Sequence, residues 1–315
     1  VLRSFTAWGA TRTAAYVATG LIGVAACALL RLGRASAGGG DNSDYVRADL
    51  LREGTTEPPV VPQLQLPEDT PKLGCATGMT ARQSLCTVEF WLLAAVLFSG
   101  LGGGLVILNH VQGITDAQLA DPATGGSSAA AKHVSDVLVS LLSIFNCLGR
   151  VAAGIGSDRW ANVAPRPAWL AAACALMGSA HILLLRADLI FCLYAAICIG
   201  GFAYGAVWSL LPATVADLFG VGSFASILSM CAPIISVASL LLSTLVVSAV
   251  YEAGARHQPA GTPAGVCYGD ACFAGTHIVV ACCCAASLLS ALALGRRSSS
   301  GRTLFERRRL LGALS

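Results

Sequence analysis

Long stretches without a charged side chain constrain this chain more than any other feature of its sequence. An α-helix needs about 20 apolar residues to cross a bilayer. Backbone in lipid must satisfy its own hydrogen bonds, so such stretches form helices. One of them, 137–156, is interrupted only by Arg150. The others contain no Asp, Glu, Lys or Arg and lie at 13–30, 90–115, 167–185, 189–216, 218–251 and 271–295. The pattern predicts seven membrane-spanning helices in an all-α bundle, with the helix in 218–251 starting near Ser223.

The composition excludes a soluble domain. Hydrophobic residues make up 55% of the 315 residues and charged residues only 12%, whereas soluble proteins average about 25% charged residues. Most of the 13 cysteines lie inside the apolar stretches, where cysteine packs as a small hydrophobic residue. The net charge of +3 does not indicate nucleic acid as a partner, and the expected surroundings are a lipid bilayer.

The segment between the first two apolar stretches differs from the rest. It contains GGGDNSD and TTEPPVVPQLQLPEDTP, and this density of Pro, Gly and acidic residues is typical of disorder. The sequence therefore divides into a first helix (1–31), a disordered cytoplasmic loop (32–88), a six-helix unit (89–295) and a basic cytoplasmic tail (296–315).

Lysine and arginine are unevenly distributed between the two sides of the predicted bundle. If the loop and the tail are cytoplasmic, 15 of the 20 Lys and Arg residues lie on the cytoplasmic side and 5 on the other. Cytoplasmic loops carry such an excess. We therefore expect a multi-pass protein of the plasma membrane or the vacuolar membrane, with its amino end outside.

The stretch 138–160, LVSLLSIFNCLGRVAAGIGSDRW, begins as an apolar helix and ends with small residues and the pair Asp158–Arg159. We expect the helix to reach the water interface and the chain to turn at the glycines. Arg150 lies about two turns inside the cytoplasmic end of this span. A charge there costs a few kcal/mol unless it is paired or hydrated. Arg150 is thus expected to face the bundle interior or a cavity, or else to snorkel to the interface.

Four stretches of the chain resemble the nodulin-like branch of the major facilitator superfamily, and they occur along the chain in the same order as in that family. GRVAAGIGSDR is similar to the Gly-x-x-x-Asp-Arg signature of these transporters, and CYGDACF resembles the short motif before the last helix. The remaining two stretches are VEFWLLAAVLFSGLGGGLVILNHVQGI and GGFAYGAVWSLLPATVADLFGVGSFASI. The resemblance covers roughly residues 85–295, with His110 in place of a second Asn and Val88 in place of a Pro.

This resemblance implies the carboxyl-terminal six-helix half of a twelve-helix fold (an NFD4-type carboxyl-terminal domain), preceded by one helix of the other half. The partner would be the missing amino-terminal half of the same protein, because the chain starts at Val1 and is expected to be incomplete. The function implied is secondary transport of a small solute by alternating access between two halves.

The resemblance also assigns a gating role to Asp158 and Arg159, at the cytoplasmic end of the third span. Asp158 is expected to accept hydrogen bonds from the positive amino end of the helix that starts near Ser223. Arg159 is expected to pair with an acid, for which Asp217 is the nearest candidate in the topology. The alternative is an ordinary charged turn at the interface.

Helical spacing suggests which residues line the solute path. Asn146 and Arg150 are four residues apart and share a face, as do Tyr204 and Trp208. The polar pair Asn109 and His110 lies near the outer end of its span. Packing remains the alternative for the two aromatic residues, and an interfacial histidine remains the alternative for His110. Gly201 and Gly205 are also four apart and would allow a close helix contact.

Cys267 and Cys272 lie in the last outer loop, where an oxidising environment permits a disulfide. Their spacing is short enough to close a small loop, and a free pair of thiols remains the alternative.

No catalytic motif, metal-ligand pattern or phosphate-binding loop occurs in the sequence, so we expect neither an enzyme nor a cofactor. Two alternatives to a transporter remain. A seven-span receptor or sensor would bind a ligand without flux, although Asn-Pro-x-x-Tyr is missing from the last span and the glycines before Asp158 have no role in a receptor's continuing helix. An inactive half-transporter is the other alternative.

Overall fold

A computed structural model describes residues 79–161, 163–259, 262–263 and 265–298 of the chain. These residues form helices joined by short loops, without a strand among them, so the all-α fold is confirmed. The helices are α1 (Ala81–Leu85), α2 (Val88–Leu119), α3 (Ser128–Arg159), α4 (Arg166–Leu184), α5 (Ile190–Phe219), α6 (Phe224–Ala238), α7 (Val247–Arg256) and α8 (Ala274–Ser298).

A π-helical segment, Ser239–Val246, joins α6 to α7, so that one continuous helix runs from Phe224 to Arg256. Two single 3₁₀ turns, Pro122–Thr124 and Asp270–Cys272, lie in loops. Within the described residues, six helices are long and apolar enough to cross a membrane, and they correspond to six of the seven predicted spans. The seventh, at 13–30, lies outside the described residues, as do the tail beyond 298 and most of the predicted loop.

Hydroxyl side chains begin several helices. Thr87 Oγ1 accepts a hydrogen bond from the Phe90 amide at the start of α2, and Ser127 does the same for the Ala130 amide at the start of α3. Pro167 lies in the first turn of α4, where its missing N–H is not needed. Ser223 immediately precedes α6, as predicted.

The end of α3 differs from the prediction, because the helix continues through Arg159 and does not turn at its glycines. A Cβ on Gly149 would lie 2.1 Å from the carbonyl oxygen of Phe202, and one on Gly156 would lie 2.7 Å from the Trp169 ring. The glycines therefore permit close helix packing. One argument against the receptor alternative assumed that the glycines break the helix. Because α3 continues through them, this argument no longer holds.

The last ten residues of the segment predicted to be disordered also differ. Thr80 and Gln83 form a reciprocal capping box that starts α1. Met79 is buried, and its amide donates to the carbonyl oxygen of Phe219 at 2.8 Å. The ordered bundle therefore begins by residue 79, before the predicted boundary at 89.

Burial is unequal among the six long helices. In the most apolar window of each helix, 67% of residues are buried for α2 and 72% for α4, but only 22% for α3 and 28% for the helix 224–256. Helices α2 and α4 therefore lie inside the bundle, whereas α3 and the helix 224–256 each have a wide face that no described residue covers.

Candidate functional site

One end of the bundle carries an arginine between two carboxylates. Arg166, the first residue of α4, donates from Nη2 to Asp158 Oδ1 at 2.8 Å and from Nη1 to Asp217 Oδ2. Asp158 lies in the last turn of α3 and Asp217 in the last turn of α5. A carboxylate at the carboxyl end of a helix opposes the helix dipole, and the guanidinium offsets this for both helices. Arg166 thus links three helix ends.

This pairing differs from the sequence prediction. Arg159 was expected to pair with Asp217, but Asp217 pairs with Arg166, and Arg159 is exposed. Asp158 likewise bonds to Arg166 and not to the start of the helix at Ser223. In the sequence, Arg166 immediately precedes the apolar stretch 167–185. Its place at the start of the next span could have identified it as the nearest cation to both acids.

A second ion pair joins α2 to α8 at the same end. Arg297 Nε donates to Glu89 Oε1 at 2.7 Å. Glu89, in the first turn of α2, is only 5% exposed. Its negative charge also suits the positive amino end of that helix.

Several of the residues predicted to line the solute path lie together at the contact between α3 and α5. Arg150 Nε donates to Asn146 Oδ1 at 3.3 Å, and Arg150 Cζ lies 6.0 Å from the centroid of the Trp208 ring. The Tyr204 and Trp208 rings are perpendicular, with centroids 6.3 Å apart. Four of the six predicted path residues therefore form one group, which we call the Arg150 cluster.

Glycine brings these two helices together. A Cβ on Gly205 would lie 2.0 Å from the backbone oxygen of Asn146, and one on Gly201 would lie 2.8 Å from that of Leu142. Such separations are too short for any larger residue. The side chain of Asn146 is therefore held at the helix contact, from which it orients Arg150.

The Arg150 cluster combines charge, aromatic surface and a donor that no described residue accepts from. Arg150 lies nine residues before the end of α3, which corresponds to about 14 Å along the helix. Its side chain is exposed in the structure. The indole nitrogen of Trp208 is buried and has no hydrogen-bond partner among the described residues. A guanidinium and an indole N–H are both hydrogen-bond donors, so the cluster suits an anionic or hydrogen-bond-accepting group.

The other two predicted path residues lie elsewhere. Asn109 Nδ2 donates to Ser243 Oγ at 3.0 Å, and His110 Nε2 lies 2.7 Å from the backbone oxygen of Ser243. Because a carbonyl oxygen only accepts, His110 must carry its proton on Nε2. Ser243 belongs to the π-helical segment, and such segments are frequent at functional sites. These bonds connect α2 to the π segment, and a role in solute transport for either residue stays a prediction.

Cys267 and Cys272 form a disulfide at the other end of the bundle. The loop that it closes is fixed to the end of α2, because the Gly269 amide donates to the Ala117 carbonyl at 2.6 Å. Gln118 Nε2 also donates to Asp270 Oδ1 at 2.9 Å. Burial raises the pKa of Asp270 above its ordinary value.

Two further histidines, His181 on α4 and His277 on α8, were missed in the sequence analysis. Their Nδ1 atoms lie 3.1 Å apart, and both rings are buried. The signal for them was present, since each histidine is a titratable group inside an apolar stretch. The partnership became visible only when the fold placed α4 against α8.

A cavity of about 560 Å³ lies between α2, α6 and α8. Its lining is apolar, with Trp91, Phe98, Pro233 and Ile234 among the contributing side chains. None of the predicted path or gating residues contributes to it, so it is separate from the Arg150 cluster.

Comparison with known proteins gives one family. Residues 73–305 match the family model described as NFD4, C-terminal domain. The match contains all eight described helices. No curated protein matches the chain.

Proposed function

Because the chain belongs to the family of the NFD4 carboxyl-terminal domain, we propose that it is the carboxyl-terminal half of a nodulin-like major facilitator transporter. This transporter moves a small solute across the plasma membrane or the vacuolar membrane by alternating access. The observation that carries the proposal is the Arg150 cluster, which places a cation inside a membrane-spanning helix. Charges at such depth mark substrate and ion pathways.

The uncovered faces of α3 and of the helix 224–256 support a second half. Both helices are less than one third buried in their most apolar windows. Arg150 and Asn146 belong to α3, so half of the Arg150 cluster lies on one of these two incompletely covered helices. An amino-terminal half placed against these faces would enclose the cluster between two bodies, as alternating access requires.

The cluster favours a small organic anion as the solute. Arg150 supplies a fixed positive charge, and a guanidinium matches the two oxygens of a carboxylate. The Trp208 and Tyr204 rings offer apolar surface for the remainder of such a molecule. An anion bound there would receive the hydrogen bonds that Arg150 and the Trp208 indole do not use within the described residues.

The ion pairs of Arg166 with Asp158 and Asp217 supply the gate in this proposal. They link the ends of α3, α4 and α5 in the described conformation. A transport cycle needs contacts that hold one conformation and break in another. Partly exposed ion pairs suit this role, because their net contribution to stability is small, about 0–1 kcal/mol.

Uptake into proteoliposomes tests the proposal, using the full-length protein and [¹⁴C]lactate as the small carboxylate probe. We expect Arg150→Gln to reduce uptake at least tenfold and Arg150→Lys to retain part of it, whereas Arg186→Gln should leave uptake unchanged. Arg186 is the matched control because it pairs with Asp188 in a loop. Equal uptake by Arg150→Gln and the unaltered protein would contradict the proposal. Lactate binding without any flux would favour the receptor alternative.

A further inference from the structure

The buried histidine pair is the strongest feature that solute transport leaves unexplained. His181 lies three residues before the end of α4, and His277 lies three residues after the start of α8. At 1.5 Å per residue, each is about one turn from the end of its helix. This end also carries the disulfide loop, so the pair lies just inside the predicted outer face. The rings are 0% and 1% exposed.

The hydrogen bonds fix where the protons are. His181 Nε2 lies 3.2 Å from the carbonyl oxygen of Gly103, which only accepts, so this nitrogen carries a hydrogen. In a neutral His181 ring the other nitrogen, Nδ1, is then an acceptor. Because the two Nδ1 atoms are 3.1 Å apart, the hydrogen between them belongs to His277. A neutral pair therefore leaves His277 Nε2 without a hydrogen.

His277 Nε2 is an acceptor that no described residue uses. The atom is buried and has no hydrogen-bond partner among the described residues. Buried polar groups are paired in the great majority of cases, and each exception calls for an explanation. A basic nitrogen with a free lone pair is where an added proton would bind.

The surroundings show how the site is closed. The Phe273 ring stacks on the His277 ring, with their centroids 6.3 Å apart. The His110 ring also contacts Phe273, with a centroid distance of 6.3 Å. Phe273 immediately follows the disulfide-closed loop. Phe273 thus contacts both His277 and His110, and His110 is half-buried near the outer end of α2.

Among the described residues, no carboxylate, ammonium or guanidinium is hydrogen-bonded to the pair. Among the ionisable side chains on the elements packed around it are His110 on α2, Tyr251 on α7 and Cys284 on α8. Tyr251 contacts Phe273, and Cys284 contacts the Ser99 carbonyl. Within the part of the chain that the structure describes, no Asp, Glu, Lys or Arg side chain hydrogen-bonds to either ring. The charge of an added proton would thus be shared between the two imidazoles alone.

We infer that His181 and His277 form a proton-binding site whose occupancy, set from the outer aqueous phase, regulates transport. One proton from water binds His277 Nε2, one N–H bond forms, and the charge of the pair changes from zero to +1. The proton returns to water when the site releases it. In the described conformation His277 Nε2 is buried without a partner among the described residues, which corresponds to the unprotonated pair. Protonation favours a conformation in which Phe273 has moved and the ring meets water.

The inference rests on the proposed function for its effect on transport, but proton binding itself is measured without transport. The experiment uses the full-length protein with ¹⁵N-labelled histidine in lipid bilayers, and records ring ¹⁵N spectra between pH 8 and pH 4. We expect the pair to be neutral at pH 8 and to gain one proton on acidification. His277→Gln should remove this proton and shift the signals of His181. If both rings stay neutral down to pH 4, the inference is wrong.

A flux measurement tests the regulatory part. Exchange of [¹⁴C]lactate across proteoliposomes, at equal pH on both sides, should change at least threefold between pH 8 and pH 5. This change should disappear in His181→Gln and His277→Gln. The exposed His133 and His257 supply matched controls, because their Gln variants should keep the pH profile of the unaltered protein. An unchanged profile in both pair variants would overturn the inference while the proposed function stands.

The two measurements separate the two ideas. If lactate does not move at any pH, the proposed function fails for this solute and the spectra alone decide whether the pair binds a proton. If a pair variant does not fold, the spectra of the unaltered protein still decide the question.

Discussion

Arg166 Nη2 donates to Asp158 Oδ1 at 2.8 Å, which joins the start of α4 to the end of α3. The same guanidinium bonds to Asp217 at the end of α5. Arg166→Gln should therefore leave two carboxylates at helix carboxyl ends without their cation. We expect a loss of about 1 kcal/mol in the free energy of unfolding, since partly exposed pairs contribute about 0.2–1 kcal/mol each. Thermal unfolding in detergent at low salt measures it.

Arg159→Gln is the matched control for this prediction. Arg159 is exposed and lies next to Asp158, and its replacement should change the unfolding temperature by less than that of Arg166. A larger change in unfolding temperature for Arg159→Gln than for Arg166→Gln would contradict the prediction and favour the pairing of Arg159 with Asp217 that the sequence suggested.

The spans could be predicted because charge-free length is what a bilayer requires of a helix. The apolar runs placed all six described long helices, and Ser223 was placed correctly at the start of α6. The end of α3 was misplaced for a local reason. Glycine is common both in turns and at close contacts between helices, and the sequence does not distinguish the two. The short distances from Gly149 to Phe202 and from Gly156 to Trp169 show that these glycines lie at helix contacts.

Side-chain partners could not be predicted to the same extent. Spacing along one helix correctly grouped Asn146 with Arg150, and Tyr204 with Trp208. The partner of Asp217 depends on how three helix ends meet in space, which no spacing rule supplies. The histidine pair required α4 to pack against α8, and in the sequence its two members are 96 residues apart.

Gly205 offers a test of the close contact between α3 and α5. Gly205→Ala would place a Cβ 2.0 Å from the Asn146 backbone oxygen, and neither backbone can move without separating the helices. We expect destabilisation of about 1–3 kcal/mol, as for other overpacked sites. Gly295→Ala is the control, because its nearest neighbour would lie at 3.7 Å. It should be neutral or stabilising by about 0.5–1 kcal/mol. Equal unfolding temperatures for the two variants would argue against the close contact.

The disulfide between Cys267 and Cys272 should contribute to stability through the loop that it closes. Cys272→Ser, or reduction of the native protein, frees a loop whose Gly269 and Asp270 contact the end of α2. The chain-entropy relation for so short a loop gives about 2 kcal/mol. Unfolding with and without a reductant measures this difference.

Cys86→Ser serves as the control, because Cys86 is exposed and is not bonded to another cysteine. A reductant that lowers the unfolding temperature of Cys272→Ser as much as that of the unaltered protein would contradict the prediction.

Glu89 and Arg297 should stabilise the bundle more than an exposed ion pair does. Glu89 is 5% exposed, and its Oε1 accepts from Arg297 Nε at 2.7 Å. Glu89→Leu removes the carboxylate and leaves the guanidinium without its partner. We expect a loss of about 1.5–3 kcal/mol in the free energy of unfolding, the range for hydrogen bonds to charged groups.

Glu252→Leu is the matched control, because Glu252 forms an exposed pair with Arg256 four residues away, worth about 0.3–0.5 kcal/mol. Chemical unfolding of both variants in detergent measures the two losses. A loss for Glu89→Leu no larger than that for Glu252→Leu would show that the contact between α2 and α8 does not depend on this pair.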